Sequence, residues 1–367
     1  MLNKLSVEIL GASHADRITL KVQGLPKGKK INLEELQSFV DRRRAKQSQY
    51  STKRIEQDLI HIASGMDGDV LNGDLFEAYV LNTNTKSQDY DNLKFTPRPS
   101  HADYVAYVKW NGMQDMRGGG KFSGRMTVAL CILGGIAKQL LKEYKIDVEA
   151  YISSIGNVDT GSYKEKLPTV EEIEKLDSSF RVLKNEDKVN KLIEEVASGA
   201  DSIGGTIECV VYNAPVGLQD TLLDSMEGKI AQSLFAIPAI KGVEFGAGFD
   251  IATMRGSQAN DEFYYDNDKK VKTYTNNNGG INGGITNGMP ILTRVAVKPT
   301  PSIGLEQNTI NLQTKENVKL LIKGRHDACI VPRAVAPVEA AVAISILDSV
   351  LEANNDWWIK KRNRQIR

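Results

Sequence analysis

The longest apolar run in the chain, residues 126–137, places the strongest constraint on its fold. A helix needs about 20 apolar residues to cross a bilayer, so this run is too short for a membrane span. It indicates a buried helix instead, which we expect over residues 125–145, shortly after the glycine run at 118–120. The sequence therefore predicts a soluble protein that buries this helix.

The other predicted elements alternate irregularly along the chain. Alternating polarity and β-branched residues predict strands at 6–10, 18–22, 205–212 and 291–298. Helical patterns cover 33–44, 171–198, 221–235 and 337–352. Asn32 followed by Glu35 is a capping signature for the first of these helices. The spacing differs from the regular strand–helix alternation of a doubly wound sheet, and neither a repeat nor a linker divides the chain.

Charge and cysteine content argue against several classes of protein. The chain has 47 basic and 46 acidic residues, and this net charge of +1 disfavours a protein that coats nucleic acid or membrane. The cysteines (Cys131, Cys209 and Cys329) are scattered, odd in number and without zinc-ligand spacing. They fit a reducing compartment. Because the start of the chain lacks the apolar core of a signal peptide, we expect a cytoplasmic protein. The missing zinc-ligand spacing leads us to expect no metal site.

Three of the four histidines lie in polar segments marked by glycine or arginine. His14 ends G-A-S-H, His101 lies in R-P-S-H-A-D-Y and His326 lies in G-R-H-D. Histidine is the side chain that gains or loses a proton near neutral pH, so these segments suggest proton transfer on an anionic substrate. The fourth, His61, has apolar neighbours, and we interpret it as a structural residue of a strand.

The segment from Arg98 to Arg125 is typical of an anion site. Its glycines allow backbone amides to approach an anion, and the helix that follows offers its positive end. Arg117, Lys121 and Arg125 add charge-assisted contacts to phosphate or carboxylate. The order of residues is not that of a P-loop. The alternative is a flexible glycine turn with solvated cations. RNA binding is a weaker hypothesis, because the R-G-G-G sequence occurs only once.

Three further segments carry similar signals. Residues 276–285 contain two glycine pairs, which indicate unusual backbone angles or close approach of a ligand, or else a plain surface loop. The K-P-T-P-S segment at 298–302 is rigid and extended, with an ordinary proline turn as its alternative. Residues 324–333 combine two arginines, a histidine and a carboxylate, which is costly unless the groups are paired. A Cys–His nucleophile at Cys329 is disfavoured because nothing nearby orients the histidine.

Together these segments resemble chorismate synthase. The resemblance rests on R-P-S-H-A-D-Y with D-M-R-G-G-G downstream, on I-P-A-I-K-G-V-E-F-G-A-G-F and on G-R-H-D-A-C, and it covers nearly the whole chain. It implies an α+β fold, a single-domain sandwich of antiparallel β-sheets and helices over residues 1–367, assembled as a homotetramer. It also implies a 1,4-anti elimination of phosphate from 5-enolpyruvylshikimate 3-phosphate to give chorismate. That reaction needs reduced FMN without net redox change, and NADPH is a possible reductant.

The resemblance also assigns roles to residues. His14 matches the acid for the departing phosphate, His101 the histidine that protonates reduced flavin, and Asp327 the carboxylate that helps to deprotonate flavin N5. The expected substrate-binding cations are Arg43, Arg117, Arg125 and Arg333, with Arg325 beside them. The expected FMN-binding residues are Lys121, Phe122, Ser123, Pro238, Ala239, Gly283, Lys298, Pro299, Thr300, Pro301, Ser302 and Arg325.

Several positions depart from the family's usual pattern. Ala12 and Ala15 replace a glutamate and a glycine beside His14, and Lys121-Phe122 replaces Arg-Ser after the triple glycine. Gln49 replaces an arginine and Ala328 a proline. The three proton-transfer residues are retained, so we expect activity with somewhat altered pockets. The alternative is a non-catalytic homologue that binds flavin or an anionic metabolite without turnover.

Overall fold

The computed structural model describes residues 2–44, 58–82, 95–113, 117–178, 180–322 and 327–353. Within them the strands are β1 (Ser6–Leu10), β2 (Arg17–Gln23), β3 (His61–Ser64), β4 (Met66–Asp67), β5 (Val70–Leu71), β6 (Phe76–Leu81), β7 (Asp147–Ile155), β8 (Val158–Asp159), β9 (Gly205–Tyr212), β10 (Ile240–Phe245), β11 (Phe263–Tyr265), β12 (Val271–Thr273), β13 (Ile281–Asn282), β14 (Ile285–Thr286), β15 (Ile291–Val297), β16 (Gln307–Asn311) and β17 (Glu316–Leu320). The α-helices are α1 (Leu33–Asp41), α2 (Asp103–Lys109), α3 (Thr127–Lys142), α4 (Val170–Glu174), α5 (Glu186–Ser198), α6 (Met226–Phe235), α7 (Gly256–Ala259) and α8 (Val331–Ala353). Short 3-10 helices cover Arg117–Phe122, Gly124–Met126, Leu222–Asp224 and Gly248–Thr253.

Two antiparallel sheets flank a layer of helices. The first sheet has the strand order β1-β2-β6-β3, and the second has the order β10-β15-β9-β7-β8. In the first sheet β2 and β6 pair from Arg17 opposite Leu81 to Val22 opposite Phe76. Because alternate side chains of a strand point to one face, Ile18, Leu20 and Val22 are buried together.

Helices α3 and α8 fill the space between the sheets. They pack against each other, with α3 also on β2 and α8 on β7 and β9. The two helices approach closely because their contact is made of small residues: a Cβ built on Gly134 would lie 2.2 Å from Cβ of Ala340. The main apolar cluster draws residues from both sheets and both helices, such as Leu20, Ile132, Val148 and Ile346. The α+β sandwich of antiparallel sheets and helices is thus confirmed.

Two segments are long and apolar enough to cross a membrane by length and composition, Gly124–Lys142 and Val331–Ala353. Their most apolar windows are 72% and 94% buried inside the protein. A helix that is apolar on all sides is covered by other elements when it lies in a protein core. Both segments are therefore core helices, as predicted for the first of them.

Most predicted elements are confirmed, with shifted ends. Helix α1 begins after Asn32, whose Oδ1 accepts hydrogen bonds from the amides of Glu34 and Glu35 at 3.0 Å. The helix ends at Asp41, so the arginines that follow lie in turns and not in its last turn.

The predicted start of the last helix at Pro337 is wrong, because α8 begins at Val331. Proline lacks an amide hydrogen and usually marks a helix start or break, which favoured the later start. Pro337 lies inside α8 and is buried there. Packing around the whole helix outweighs the hydrogen bond that proline removes, so Arg333 belongs to the first turn of α8.

Candidate active site

His14 lies in the loop between β1 and β2, which we call the His14 loop (residues 11–16). Ser13 and His14 are buried, and the Ser13 hydroxyl lies 3.0 Å from Nδ1 of His14. The amide of Ser13 donates to the carbonyl of Gly120 at 3.2 Å. Nδ2 of Asn82, just after β6, donates to the carbonyls of Ala12 (3.2 Å) and Ala15 (2.6 Å). The loop is therefore fixed from two sides.

His101 lies in a second loop, the His101 loop (residues 98–102), which leads into α2. Nδ1 of His101 lies 2.5 Å from Oδ1 of Asp103, and Nε of Arg98 donates to Oδ2 of the same carboxylate at 2.7 Å. Burial disfavours ionisation of Asp103, but the hydrogen bonds from Arg98 and His101 outweigh it and hold the Asp103 pKa well below its usual range. Asp103 is therefore ionised and can only accept hydrogen bonds, so the proton on Nδ1 of His101 points toward it.

The second and third glycines of the triple-glycine run lie between the two histidine loops. Gly120 accepts the hydrogen bond from Ser13, and a Cβ built on Gly119 would lie 3.5 Å from Nε2 of His101. Both glycines have positive φ, 97° and 53°, a conformation that other residues rarely adopt. One short backbone stretch thus binds the His14 loop and lies beside the His101 ring.

Two expected substrate-binding arginines share one buried carboxylate, that of Asp58. NH1 of Arg43 donates to Oδ2 of Asp58 at 2.5 Å, and NH1 of Arg125 donates to Oδ1. Arg125 also donates from Nε to Oδ1 of Asn82 at 3.0 Å. Since Asn82 holds the His14 loop, these arginines and that loop belong to one hydrogen-bonded network.

A third expected cation, Arg333, adds to this positive region. Burial lowers the pKa of Arg43; Asp58 opposes that effect, and the positive charges of Arg333 and Arg125 add to it. These three side chains, which we call the cation cluster, are close enough to repel one another. Among described residues Nε of Arg43 and Nε of Arg333 are buried without a hydrogen-bond acceptor. A region with several repelling cations and unpaired donors suits a multiply charged anion.

Asp327 lies beside the segment Lys298–Ser302, as expected of parts of one site. The hydroxyl of Thr300 donates to the carbonyl of Asp327 at 3.0 Å, and NH1 of Arg333 donates to Oδ2 of Asp327 at 2.6 Å. Asp327 therefore connects the cation cluster to this segment.

The same segment also contacts the His101 loop. Nζ of Lys298 donates to the carbonyl of Ser100 at 2.6 Å, and NH1 of Arg98 lies 3.5 Å from the hydroxyl of Ser302. Burial lowers the pKa of Lys298, and Lys241 nearby lowers it further. Both ends of this rigid, proline-containing stretch thus contact the His101 loop, and its middle residue, Thr300, contacts Asp327.

The remaining expected FMN-binding residues divide into two groups. Ala239 accepts a hydrogen bond from the amide of Lys298 at 2.9 Å and has a positive φ of 75°. The Ser123 hydroxyl accepts from the amide of Arg125, and the Phe122 ring lies 5.9 Å from that of Trp110. Pro238, Lys121, Pro299 and Pro301 adjoin these positions in sequence.

Gly283 lies in the turn between β13 and β14. The adjoining Gly284 accepts from the amide of Met226 at the start of α6, and the described contacts do not join Gly283 to the other expected FMN-binding positions. Arg325 and Gln49 lie outside the described residues, as does the side chain of Arg117. Their expected roles stay predictions.

Three polar residues of the site were not singled out from the sequence: Asp58, Asn82 and Asp103. Asp103 follows His101 by two residues inside the quoted motif, so its spacing was a usable signal. Asp58 and Asn82 precede and follow apolar strands, where a polar residue is also expected for ordinary reasons. Only the fold shows that they contact Arg125.

The structure does not favour a nucleophilic role for Cys329. Burial raises the pKa of its thiol to about 12, although an amide hydrogen bond opposes this. The thiolate is the reactive form of cysteine, so a thiol of this kind is inert near neutral pH.

Comparison with known proteins gives one consistent family. A family model described as chorismate synthase matches residues 5–351. A protein named chorismate synthase from Dehalococcoides mccartyi is 42% identical over 353 residues, which cover 96% of this chain and 96% of the relative. Another from Thermococcus gammatolerans is 44% identical over 350 residues, which cover 95% and 96%.

A solved structure gives the same result. Its title is "Crystal Structure of Chorismate Synthase", and it is similar to this chain with a TM-score of 0.76 and 27% identity. The match covers 100% of this chain and 98% of the solved one. The similarity therefore extends over the whole sandwich and is not limited to the motifs.

Proposed function

The chain belongs to the chorismate synthase family, and on that premise we propose that it binds its substrate and reduced FMN between the two histidine loops. It is an enzyme, a lyase that eliminates phosphate from 5-enolpyruvylshikimate 3-phosphate to give chorismate. This is the last step of the shikimate route to the aromatic amino acids. The observation that carries the location is the backbone stretch 119–120, which is hydrogen-bonded to the His14 loop and lies beside Nε2 of His101.

The cation cluster supplies the charges that this substrate requires. The substrate carries one phosphate and two carboxylates, and guanidinium groups bind such anions with paired hydrogen bonds. We assign Arg43, Arg125 and Arg333 to substrate binding, because their charges meet in one region beside Asp327. Arg117 and Arg325 complete the proposed set.

His14 is the proposed acid for the departing phosphate. Its Nδ1 is next to the Ser13 hydroxyl and its loop is fixed by Asn82, so the ring has a defined orientation. A positioned acid near its working pKa accelerates such a step by about 10²–10⁴-fold. The network that orients the loop also includes Arg125, and this shared network supports a phosphate site near His14.

The residues around His101 fit a flavin. The hydroxyls and cation of Lys298–Ser302 and the positive-φ backbone at Ala239 and Gly119 offer donors for a phosphate and a polar ring edge. Reduced FMN, when bound, supplies the electron-rich ring that the elimination requires, without net redox change. His101 would hold a proton at Nε2 on the Gly119 side, and Asp327 would accept one at its carboxylate.

Other properties remain part of the proposal. We propose that the chain forms one catalytic domain, assembles as a homotetramer and acts in the cytoplasm. NADPH is the proposed source of electrons for FMN. Size-exclusion chromatography with light scattering tests the assembly, and an anaerobic incubation with NADPH and oxidised FMN tests the reductant.

The decisive experiment is an anaerobic assay with the purified protein, chemically reduced FMN and 5-enolpyruvylshikimate 3-phosphate. We expect chorismate and phosphate in equal amounts, and none with oxidised FMN. A protein that binds both compounds but forms neither product would instead be the non-catalytic homologue. Ala12, Gln49 and Phe122 would then be the positions to revert.

A further inference from the structure

We propose that Asp58 is a positioning residue of the substrate site, which fixes the guanidinium groups of Arg43 and Arg125 in the geometry that binds the substrate's anionic groups. The inference rests on the proposed role of those two arginines. It assigns a function to a residue that neither the sequence motifs nor the comparisons single out.

The contacts show how one carboxylate serves two arginines. Oδ2 of Asp58 accepts from NH1 of Arg43 at 2.5 Å, and Oδ1 accepts from NH1 of Arg125. The side chains are nearly inaccessible: 2% of Asp58, 4% of Arg43 and 8% of Arg125 is exposed. Solvent therefore screens these ion pairs little, and each oxygen has its own partner.

Each arginine is held at a second point, so the pairing defines an orientation and not merely a contact. NH2 of Arg43 donates to the carbonyl of Gly124 at 3.2 Å, and NH2 of Arg125 donates to that of Leu81 at 3.3 Å. A planar guanidinium held at two nitrogens has a fixed plane. The direction of its remaining N–H groups is then determined by Asp58.

Charge gives a second reason for the arrangement. Two guanidinium groups in a buried region repel each other, and the Arg43 pKa is lowered partly by Arg125 and Arg333. One carboxylate between two of these cations reduces that repulsion and leaves the cation cluster with a positive excess. A ligand anion is then attracted to cations whose positions are already set.

The backbone of Asp58 agrees with a constrained position. Its φ is 45°, in the left-handed region that few residues other than glycine adopt. Gln37 of α1 donates from Nε2 to the Asp58 carbonyl at 3.2 Å, which ties this residue to the helix that precedes Arg43. The carboxylate and the Arg43 side chain are therefore positioned by the same packed elements.

Two other readings give different results in the same experiment. If Asp58 is only a structural ion pair, its loss lowers stability without changing substrate affinity. If its carboxylate instead occupies the place of a substrate anion and competes with it, its loss increases affinity. The sign of the change in KM separates all three.

The test compares Asp58→Asn with wild type. Asparagine keeps the shape, but its amide nitrogen would face a guanidinium and only one arginine would keep an acceptor. A lost hydrogen bond to a charged group corresponds to about tenfold or more in affinity. We expect the KM for 5-enolpyruvylshikimate 3-phosphate to rise by about that factor, with kcat changed less and FMN affinity unchanged. An unchanged or lower KM would overturn the proposal.

A matched control is Asp348→Asn. Asp348 is also a fully buried aspartate, but its carboxylate binds the amides of Asn3, Lys4 and Leu5 and the amine of Lys229, away from the site. We expect this variant to lose stability while its KM stays at the wild-type value. If both variants raise KM equally, the effect of Asp58 is general destabilisation and the proposal fails.

A second variant keeps the test decisive if Asp58→Asn does not fold, and a binding measurement keeps it decisive if wild type shows no turnover. Asn82→Ser keeps the charge but removes the hydrogen bond to Arg125 together with the two that hold the His14 loop. We therefore expect a smaller rise in KM accompanied by a fall in kcat, and an unchanged KM would refute the network. Substrate binding by calorimetry does not depend on turnover. A wild-type protein that binds the substrate but does not convert it would therefore refute the proposed chemistry. The ratio of the substrate affinities of wild type and Asp58→Asn would still decide the role of Asp58.

Discussion

Oδ1 of Asp103 lies 2.5 Å from Nδ1 of His101, with Asp103 only 3% exposed and paired with Arg98 at both of its oxygens. A carboxylate accepts hydrogen bonds, so this contact selects the form of the ring that carries a proton on Nδ1. The other nitrogen, Nε2, is the one near Gly119. The pairing therefore determines which ring nitrogen is presented to a ligand.

Asp103→Asn should lower kcat by about 10²-fold or more, because an amide can donate to Nδ1 and stabilise the wrong tautomer. We expect the KM for the substrate to change much less, since Asp103 is not among the proposed substrate contacts. Steady-state kinetics under anaerobic conditions with reduced FMN would measure both. Asp159→Asn, which removes an exposed ion pair with Lys184, is the control and should retain wild-type kinetics. Equal kcat values for the two variants would contradict the orienting role.

Local sequence patterns were sufficient to predict most of the strands and helices. The helix pair Val170–Glu174 and Glu186–Ser198 follows from periodicity, because one face of each helix is buried. The strand Gly205–Tyr212 is buried on both faces from Ile207 to Val211, and its β-branched residues indicate it instead. The start of α8 was missed because Pro337 favours a boundary locally, while the burial that overrides it comes from α3 and the second sheet. Such tertiary effects are not encoded in a short window of sequence.

The site shows the same division. The roles of the three proposed proton-transfer residues came from the resemblance, whereas the carboxylate that joins Arg43 to Arg125 came only from the fold. Asp58 is 15 residues from Arg43 and 67 from Arg125 along the chain. No spacing rule connects residues so far apart. Pairings of this kind depend on how the sheets and helices assemble.

Loss of the Glu339 charge should lower the stability of the fold without acting on catalysis directly. This fully buried carboxylate of α8 contacts Arg42, Lys138 and Arg181. Burial disfavours its ionisation, but these cations outweigh that cost and lower its pKa. Glu339→Gln would leave the cations without their shared anion, and we expect a loss of about 3–5 kcal/mol in the free energy of unfolding. Urea denaturation would measure it, with the exposed Glu35→Gln as a control that should change little.

The contribution of the Glu339 carboxylate to stability should depend on pH. Because its pKa is lower in the folded than in the unfolded protein, its contribution to stability is complete above the unfolded value of about 4.3. It is lost as the pH falls from there through the folded pKa. Wild type should therefore lose more stability than Glu339→Gln between about pH 5 and pH 3. Parallel pH profiles of the two proteins would contradict the assignment.

The cysteines should be unreactive in the native protein. Burial raises the thiol pKa to about 12 for both Cys131 and Cys329, and raises that of Cys209 well above its ordinary value. At about pH 8 iodoacetamide should label the native chain slowly and all three thiols rapidly after unfolding, as mass spectrometry would show. Cys329→Ser should keep kcat within about twofold of wild type. Rapid native labelling of Cys329 together with loss of activity would restore the nucleophile hypothesis.

The four histidines offer a matched test of the proposed acid. His14 is buried in the site with its Nδ1 beside Ser13, whereas His61 lies on β3 with its ring stacked on Tyr79 at 5.0 Å. His14→Ala should lower kcat by about 10²–10⁴-fold, because the departing phosphate loses its proton donor. FMN and substrate should still bind, because the cation cluster and the Lys298–Ser302 segment are intact. His61→Ala removes the same side chain from a position that contacts neither histidine loop in the described structure, and it should retain most activity. Phosphate release measured beside chorismate formation gives the result: equal losses in the two variants would show that His14 acts through stability and not through proton transfer.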